Sequence, residues 1–366
     1  MLKNLYFELR MQPSSKHILF GVLNWGLGHA TRSIPIIESL QKRGHQISVA
    51  SDGSALQLLK KSLQEVNFIE LNNFEIEYAA KRRNFRSKII SQLKHLKDKA
   101  TKDLELIEAL VNKNKFDVLI SDNAFGVCSK EVKSIYITHQ LNVLSGWTSF
   151  FTRFLHQQSM KNFDEIWVPD FQGQPNLSGK IGHYKKKRKL PIRYIGPLSR
   201  FSSKRQAQQY QFAFILSGPE PQRSLLEKKI LQLTPSLQED SILVRGSFTK
   251  FDDAKNKSES KLTIQNYCTS ATLQKIINSS KTIICRSGYT SLMDLVKLKK
   301  QAIYIPTPGQ FEQEYLGKHI SKMGWGKVIK QEEFNLDALT TNFSTASNFP
   351  KFNSQLLIDA FEANSI

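Results

Sequence analysis

Cys285-Arg286-Ser287-Gly288-Tyr289-Thr290-Ser291-Leu292-Met293-Asp294, followed by Pro306-Thr307-Pro308-Gly309-Gln310-Phe311-Glu312-Gln313-Glu314, is the stretch from which the fold is read. An apolar strand ends at Cys285, the chain turns at Gly288, and a helix starts at about Thr290. That order leaves the unpaired N–H groups of the helix start facing whatever lies beyond the strand end, a mouth suited to a diphosphate. Asp294, one turn inside the helix, is placed to accept from ribose hydroxyls. Gln310, Gln313 and Glu314 crown the next strand end with groups suited to sugar hydroxyls. A plain α/β turn with a solvated rim would use similar residues, so the reading depends on its surroundings.

Outward from this segment, strand, turn and helix alternate almost throughout. Residues 16–23 form a continuous apolar strand, Thr31 or Ser33 caps a helix running to Arg43, Gly44 stops it, and residues 45–50 are the next strand. Further strands are expected at 116–120, 134–138, 163–168 and 192–195. A Gln- and Ser-rich stretch at 201–209 reads as a linker. A second alternation follows, with strands at 212–216, 242–245, 262–265, 282–285 and 302–305, and residues 353–363 read as a closing helix. The expected class is α/β: two doubly wound, Rossmann-like domains whose parallel sheets face a cleft. The expected boundaries are a leader at 1–15, a first domain at 16–200, a linker at 201–210, a second domain at 211–350, and a helix within 351–366 that packs back on the body.

A chain of 366 residues is long enough for two such cores. Its hydrophobic fraction of 40% is globular, and no apolar run approaches the roughly 18 residues needed to span a membrane. The first ten residues carry Glu8 inside a very short apolar run and no small-residue cleavage site, so no signal peptide is expected and the cytoplasm is the expected location. Cys128, Cys268 and Cys285 lie far apart in apolar or small-residue contexts, as reduced core thiols do.

The net charge of +20 favours an anionic partner. Lys81, Arg82, Arg83, Arg86, Lys88, Lys94, Lys97, Lys99 and Lys102 crowd one region, and Lys185 to Lys189 is an unbroken basic run. Trp147, Phe150, Phe151, Phe154 and Leu155 fall at helical spacings on one broad face. Basic clusters beside an aromatic amphipathic helix read as the footprint of an anionic membrane surface; a core-facing helix with merely solvated charges is the rival. Nucleic acid is not expected as a partner, because zinc, helix-turn-helix and aromatic RNA-binding signatures are missing.

The first strand runs into Asn24-Trp25-Gly26-Leu27-Gly28-His29-Ala30-Thr31-Arg32. Gly26 and Gly28 let the backbone turn sharply, and His29 is presented at the strand's carboxyl end, where α/β proteins bind substrates. Asp52 after the second strand suggests a dinucleotide site, but Thr31 replaces the third glycine of that fingerprint and His29 would crowd a pyrophosphate.

These residues together resemble the bacterial glycosyltransferases of the GT-B fold, specifically family 28, which includes the peptidoglycan N-acetylglucosaminyltransferase and is similar to the plant galactolipid synthases. The likeness runs over nearly the whole chain. Gly26 to His29, with Arg32, resembles the family's first glycine loop, whose histidine lies near the acceptor hydroxyl. His139-Gln140-Leu141-Asn142 resembles its acceptor-side motif. Gly196-Pro197-Leu198-Ser199-Arg200 resembles the inter-domain stretch whose arginine approaches the donor phosphates. Arg286, Ser287, Gly288, Tyr289, Thr290 and Asp294 resemble the nucleotide-binding segment, and Gln313-Glu314 the pair that holds the donor sugar, with Glu314 where glutamine is usual. Gly218 lies where the family has a glycine-rich phosphate loop, but Pro219 and Pro221 stiffen it and remove amides, leaving Arg223 to supply charge.

The resemblance implies an inverting transfer from a UDP-sugar to a lipid-linked or otherwise hydrophobic acceptor at the inner face of the cell membrane, with no cofactor and no metal. Asp252-Asp253 stands in a Lys-rich loop and reads as solvated. Arg200, Arg223, Arg286 and the helix start after Gly288 would stabilise the departing diphosphate. His29 is the expected base, with Asp122 to orient or replace it and His139 as a second candidate. A UDP-N-acetylglucosamine 2-epimerase of the same fold is the nearest enzyme alternative.

Overall fold

The computed structural model describes residues 14–73, 85–144, 156–184, 190–204, 206–218, 220–247, 261–339 and 349–366. Residues 1–13, Lys81 to Arg83, residues 145–155 with the aromatic stripe, the basic run at 185–189 and Asp252-Asp253 lie outside the described residues, as do the side chains of Arg86 and Lys88.

The first domain holds β1 (His17–Val22), α1 (Leu27–Lys42), β2 (Gln46–Ser51), α2 (Gly53–Ser62), β3 (Asn67–Glu70), α3 (Phe85–Asn114), β4 (Val118–Asp122), β5 (Lys133–Ile137), β6 (Glu165–Val168) and β7 (Ile192–Tyr194). Its strands form a seven-stranded sheet in the order β3-β2-β1-β4-β5-β6-β7, and every pair is parallel. The second domain holds β8 (Tyr210–Ile215), α4 (Gln222–Leu233), β9 (Ser241–Val244), β10 (Leu262–Gln265), α5 (Ser270–Asn278), β11 (Ser280–Cys285), α6 (Tyr289–Leu298), β12 (Ala302–Tyr304), α7 (Phe311–Lys322), β13 (Gly326–Val328) and α8 (Leu336–Leu339). Its sheet runs β10-β9-β8-β11-β12-β13, also parallel throughout.

Strand order reverses between β1 and β4 in the first sheet and between β8 and β11 in the second. Crevices open beyond the carboxyl ends of strands at such reversals. The central strands carry apolar runs because helices cover both faces: Ile18, Leu19 and Phe20 of β1 and Leu119 and Ile120 of β4 are fully buried. His29 follows β1 and Asp122 ends β4, so the reversal brings together residues 93 apart in sequence.

Several boundaries differ from the sequence reading. Helix α1 starts at Leu27, not at Thr31 or Ser33, because Gly26 takes φ +71° at the N-cap, a conformation that suits only glycine. His29 therefore sits in the first turn of a helix and not on a loop before one. The short strands β3 and β13 were not foreseen; their four and three residues are too few for a period to show.

Helix α9 (Gln355–Ala363) returns to the first domain. Phe361 is buried against Trp167 with ring centroids 6.0 Å apart, Arg43 lies over the Phe361 ring, and Asn364 donates to Glu165 at 2.8 Å. The chain thus passes between the domains twice.

Lys99 leaves the expected basic surface. It bridges Asp52 at 2.9 Å and Asp103 at 2.5 Å on the first domain, with only 10% of its side chain exposed. Lys94, Lys97 and Lys102 on the same helix are exposed. The three cysteines are buried and unbridged, and burial pushes their thiols up, to about 11 for Cys128 and Cys268 and about 12 for Cys285.

Candidate active site

Asp122 is fully buried at the end of β4. Arg32, from the second turn of α1, grips both its oxygens: Nε donates to Oδ2 at 2.6 Å and Nη2 to Oδ1. The Ser33 hydroxyl donates to Oδ2 at 3.1 Å. Burial alone would push the Asp122 carboxyl up, but the Arg32 charge, with the hydrogen bonds from Arg32 and His29, holds it well below the usual carboxylate range. It is an ionised acceptor with no spare face, so it orients a neighbour and cannot replace it as base.

That neighbour is His29, whose Nδ1 lies 2.9 Å from Asp122 Oδ1 and 2.9 Å from Arg32 Nη2. A guanidinium only donates and this carboxylate only accepts, so the 2.9 Å carboxylate contact places a proton on Nδ1. The Arg32 approach is then charge against ring, and Nε2 carries the lone pair. Burial first, then the Arg32 charge, lower the His29 pKa below its ordinary value, against the pull of Asp122. The imidazole is neutral near pH 7 with its basic nitrogen unspent, as a general base requires.

His139, after β5, is committed. Its Nδ1 accepts from Arg32 Nη1 at 2.9 Å, and its Nε2 donates to Glu312 at 2.8 Å. Its ring stacks on Tyr289 at 4.3 Å and 3°. With both nitrogens engaged it is no second base. Gln140 donates its amide to the other Glu312 oxygen at 2.5 Å. Asn142 is a strut, donating to the carbonyls of Lys180 and His183.

Helix α6 brings the second domain to this cluster. Thr290 donates to the Gly28 carbonyl at 3.1 Å, and Tyr289 donates to the Pro169 carbonyl at 2.8 Å. Its first-turn amides, lacking partners within the helix, lie beside the glycine loop. Gly28 has no room to spare: a Cβ there would stand 3.1 Å from the Thr290 hydroxyl oxygen.

The remaining donor-side residues divide between cleft and scaffold. Asp294 takes the Ser199 hydroxyl at 2.6 Å, and burial pushes its carboxyl to about 6 against the opposing Arg200 charge. Arg200 lies over the Phe201 ring, 5.2 Å from its centroid, and its buried Nε is without a partner among the described residues. The Gln310 Oε1 and the Thr307 hydroxyl are likewise buried and unpartnered there. Gln313 accepts the Thr307 amide at 2.9 Å, Ser287 donates to the Gln313 carbonyl at 2.8 Å, and Glu314 accepts the Gly309 amide at 3.0 Å. Gly288 caps α6, and Gly218 turns at φ +95° with open space around it.

Arg223 and Arg286, expected at the diphosphate, are placed as scaffold. Arg223 is paired with Glu220 and Glu227 and donates to the Arg245 carbonyl, so its charge is already balanced. Arg286 is 1% exposed and donates to the carbonyls of Gln222 at 2.7 Å, Ile305 at 3.2 Å and Pro306 at 3.4 Å, tying α4 to the end of β12. Burial lowers its pKa to about 10.

Glu312 was given no role from sequence, yet it is the second domain's carboxylate at His139. Burial raises its pKa, and its contact and hydrogen bond with His139, together with the nearby Arg32 charge, more than reverse this, so it is held ionised. The only sequence signal was an acidic residue in the first turn of a helix, which ordinarily complements the helix dipole.

Comparison with known proteins agrees with this geometry. Residues 16–145 match the family model for Glycosyl transferase family 1, and residues 213–357 match that for the Glycosyltransferase family 28 C-terminal domain. A curated relative from Haemophilus ducreyi, a UDP-N-acetylglucosamine–N-acetylmuramyl-(pentapeptide) pyrophosphoryl-undecaprenol N-acetylglucosamine transferase, is 19% identical over 337 residues, 85% of this chain and 84% of its own. Among solved structures, the glycotransferase of kitacinnamycin superposes with a TM-score of 0.60 at 16% identity, over 89% of each chain. MurG of Acinetobacter baumannii superposes with a TM-score of 0.50 at 15% identity, over 96% of this chain and 92% of its own. VinC, solved in complex with dTDP, gives 0.57 at 10% identity over 95% and 93%. With the two parallel sheets, these matches make the chain a glycosyltransferase of the GT-B fold, resembling family 28.

Proposed function

We propose that the chain transfers a hexose or N-acetylhexosamine from a UDP-sugar to a hydroxyl of a lipid-linked or otherwise hydrophobic acceptor, with inversion at the anomeric carbon. The observation that carries this reading is the His29–Asp122 pair, which engages Nδ1 and leaves Nε2 without a hydrogen-bond partner among the described residues, on a helix whose first turn meets that of α6 through Thr290 and Gly28. In the reaction the acceptor oxygen attacks the anomeric carbon while its proton passes to His29 Nε2. The bond from that carbon to the UDP oxygen breaks, and UDP leaves with the electron pair. Asp122 stabilises the imidazolium that forms. The amides of the α6 first turn and the Arg200 guanidinium answer the charge on the departing diphosphate. Gln310, Gln313 and Glu314 stand at the donor-sugar end of the cleft.

The lipid-linked acceptor is supported by the undecaprenol-linked acceptor in the name of the Haemophilus ducreyi relative and by the +20 charge. Among the described residues, no helix is long and apolar enough to cross a membrane.

The test is a donor screen in which released UDP is measured with and without polyprenyl-linked and glycolipid acceptors, alongside thermal melts. UDP and UDP-sugars should raise the melting temperature where NAD, FAD and ATP do not, and turnover should depend on acceptor and survive EDTA. An equal shift by NAD, or conversion of UDP-sugar without acceptor, would overturn the reading. Sedimentation with anionic vesicles, reversed by salt, tests the membrane surface.

A further inference from the structure

A continuous run of side chains connects the second domain to the base of the first: Glu312, His139, Arg32, Asp122 and His29. Each link restricts the next. An ionised Glu312 can only accept, so His139 carries its proton on Nε2 and offers a lone pair at Nδ1. That lone pair takes Arg32 Nη1, which turns the guanidinium so that Nε and Nη2 face Asp122. Asp122, held on both oxygens, keeps Oδ1 aimed at His29 Nδ1. The Tyr289 ring, also from the second domain, lies flat on His139 and prevents it from tilting away.

Of these five linked side chains, Glu312 alone belongs to the second domain. We propose that Glu312 is a positioning residue: brought in when the domains close, its carboxylate fixes, through His139 and Arg32, the orientation and basicity of His29, so that the base is fully formed only in the closed enzyme. This rests on His29 being the base of the proposed transfer. The charged and titratable groups facing this cluster are Arg32 from α1, Asp122 from β4, His139 after β5, and Glu312 and Tyr289 from the second domain. The negative charge of Glu312 favours the imidazolium that proton transfer creates, and withdrawing it on opening would disfavour that form. Such coupling would keep the base weak while the cleft is open to water.

A purely structural role would make Glu312 one more inter-domain contact. Glu312→Gln separates the two, because the amide oxygen can still accept from His139 and Gln140 can flip its own amide to meet the new NH2, while the charge is gone. The His29 titration is followed by NMR of ring-labelled histidine in wild type and in Glu312→Gln, nucleotide-free and with UDP, with a His29→Gln spectrum assigning the signal. The expected result is a His29 midpoint lower by about half a pH unit or more in Glu312→Gln. The acid limb of kcat/KM should move with it, and the plateau kcat should fall while UDP affinity stays within about threefold. An identical His29 midpoint in both proteins, in both states, would overturn the inference. The nucleotide-free spectra decide it even if UDP fails to bind, an outcome that would count against the donor reading instead.

Discussion

The Thr290 hydroxyl donates to the carbonyl of Gly28 at 3.1 Å, joining the first turns of two helices that start 262 residues apart. One helix carries His29, the proposed base, and the other carries the first-turn amides proposed to meet the diphosphate, so in that reading this contact sets the distance between proton acceptor and leaving group. Gly28→Ala should disturb it, because the new methyl would stand 3.1 Å from that hydroxyl oxygen with a helix behind it. Turnover should fall by at least about tenfold while the melting temperature changes little, since a misplacement near 1 Å can cost far more than it destabilises. Native turnover in Gly28→Ala would show that the two turns need not meet.

His29→Gln should lower kcat by on the order of 10² to 10⁴ with donor affinity nearly unchanged. The folded pKa of His29 is lowered, so wild-type kcat/KM should be flat at neutral pH and fall as pH drops through a midpoint below 6.5, where the imidazole takes up its proton. A limb centred above 6.5 would assign the rate to another group.

Asp122→Asn should lose both turnover and stability. It removes the carboxylate that Arg32 Nε and Nη2 grip and leaves a buried cation unpaired, a change that costs about 3–5 kcal/mol. His29→Gln leaves that pair intact and should melt close to wild type. Comparing the two melts by calorimetry separates the orienting role from the structural one.

Arg286→Met should lower the melting temperature without weakening UDP by more than a few fold, because Arg286 holds three carbonyls and is 1% exposed. Each carbonyl stripped of its donor costs about 1–3 kcal/mol. Isothermal titration of UDP into a folded Arg286→Met sample decides the matter: a loss of a hundredfold or more would put the guanidinium on the phosphates after all.

Asp294, pushed to about 6 by burial, binds its proton more tightly folded than unfolded. Its contribution to stability is therefore complete below the unfolded value near 4 and is lost as pH rises through about 6. Wild type should lose stability over that window, by about 3 kcal/mol at most, and Asp294→Asn should flatten the curve there. Chemical denaturation at pH 4, 5, 6 and 7 gives the comparison, and parallel curves for the two proteins would refute it.

What the sequence disclosed was whatever is encoded locally. Two runs of strand and helix gave both sheets, and the glycines after β1 and the turn at Gly288 marked the facing strand ends. The meeting of His29 with Asp122 could be anticipated because both follow from position at strand ends. Arg223 was misread although its spacing carried the answer: Glu220 and Glu227 lie three residues before and four after it, within reach along a helix. Arg286 had no such signal, since backbone carbonyls from β12 and α4 leave no mark in side-chain pattern. Glu312 was hidden because its partner is 173 residues away and meets it only through the docking of one domain on the other.

The return of α9 to the first domain has a mechanical consequence. A body tethered by a single strand can swivel about any axis, whereas one tethered at two points turns only about the line that joins them. Here the tethers are the crossing after β7 and the crossing before α9, the second anchored by Phe361 on Trp167 and by Asn364 on Glu165. Any swing of one domain on the other would therefore turn about a single axis, like a door on two pins, and bring the same face of α6 back to the same turn of α1.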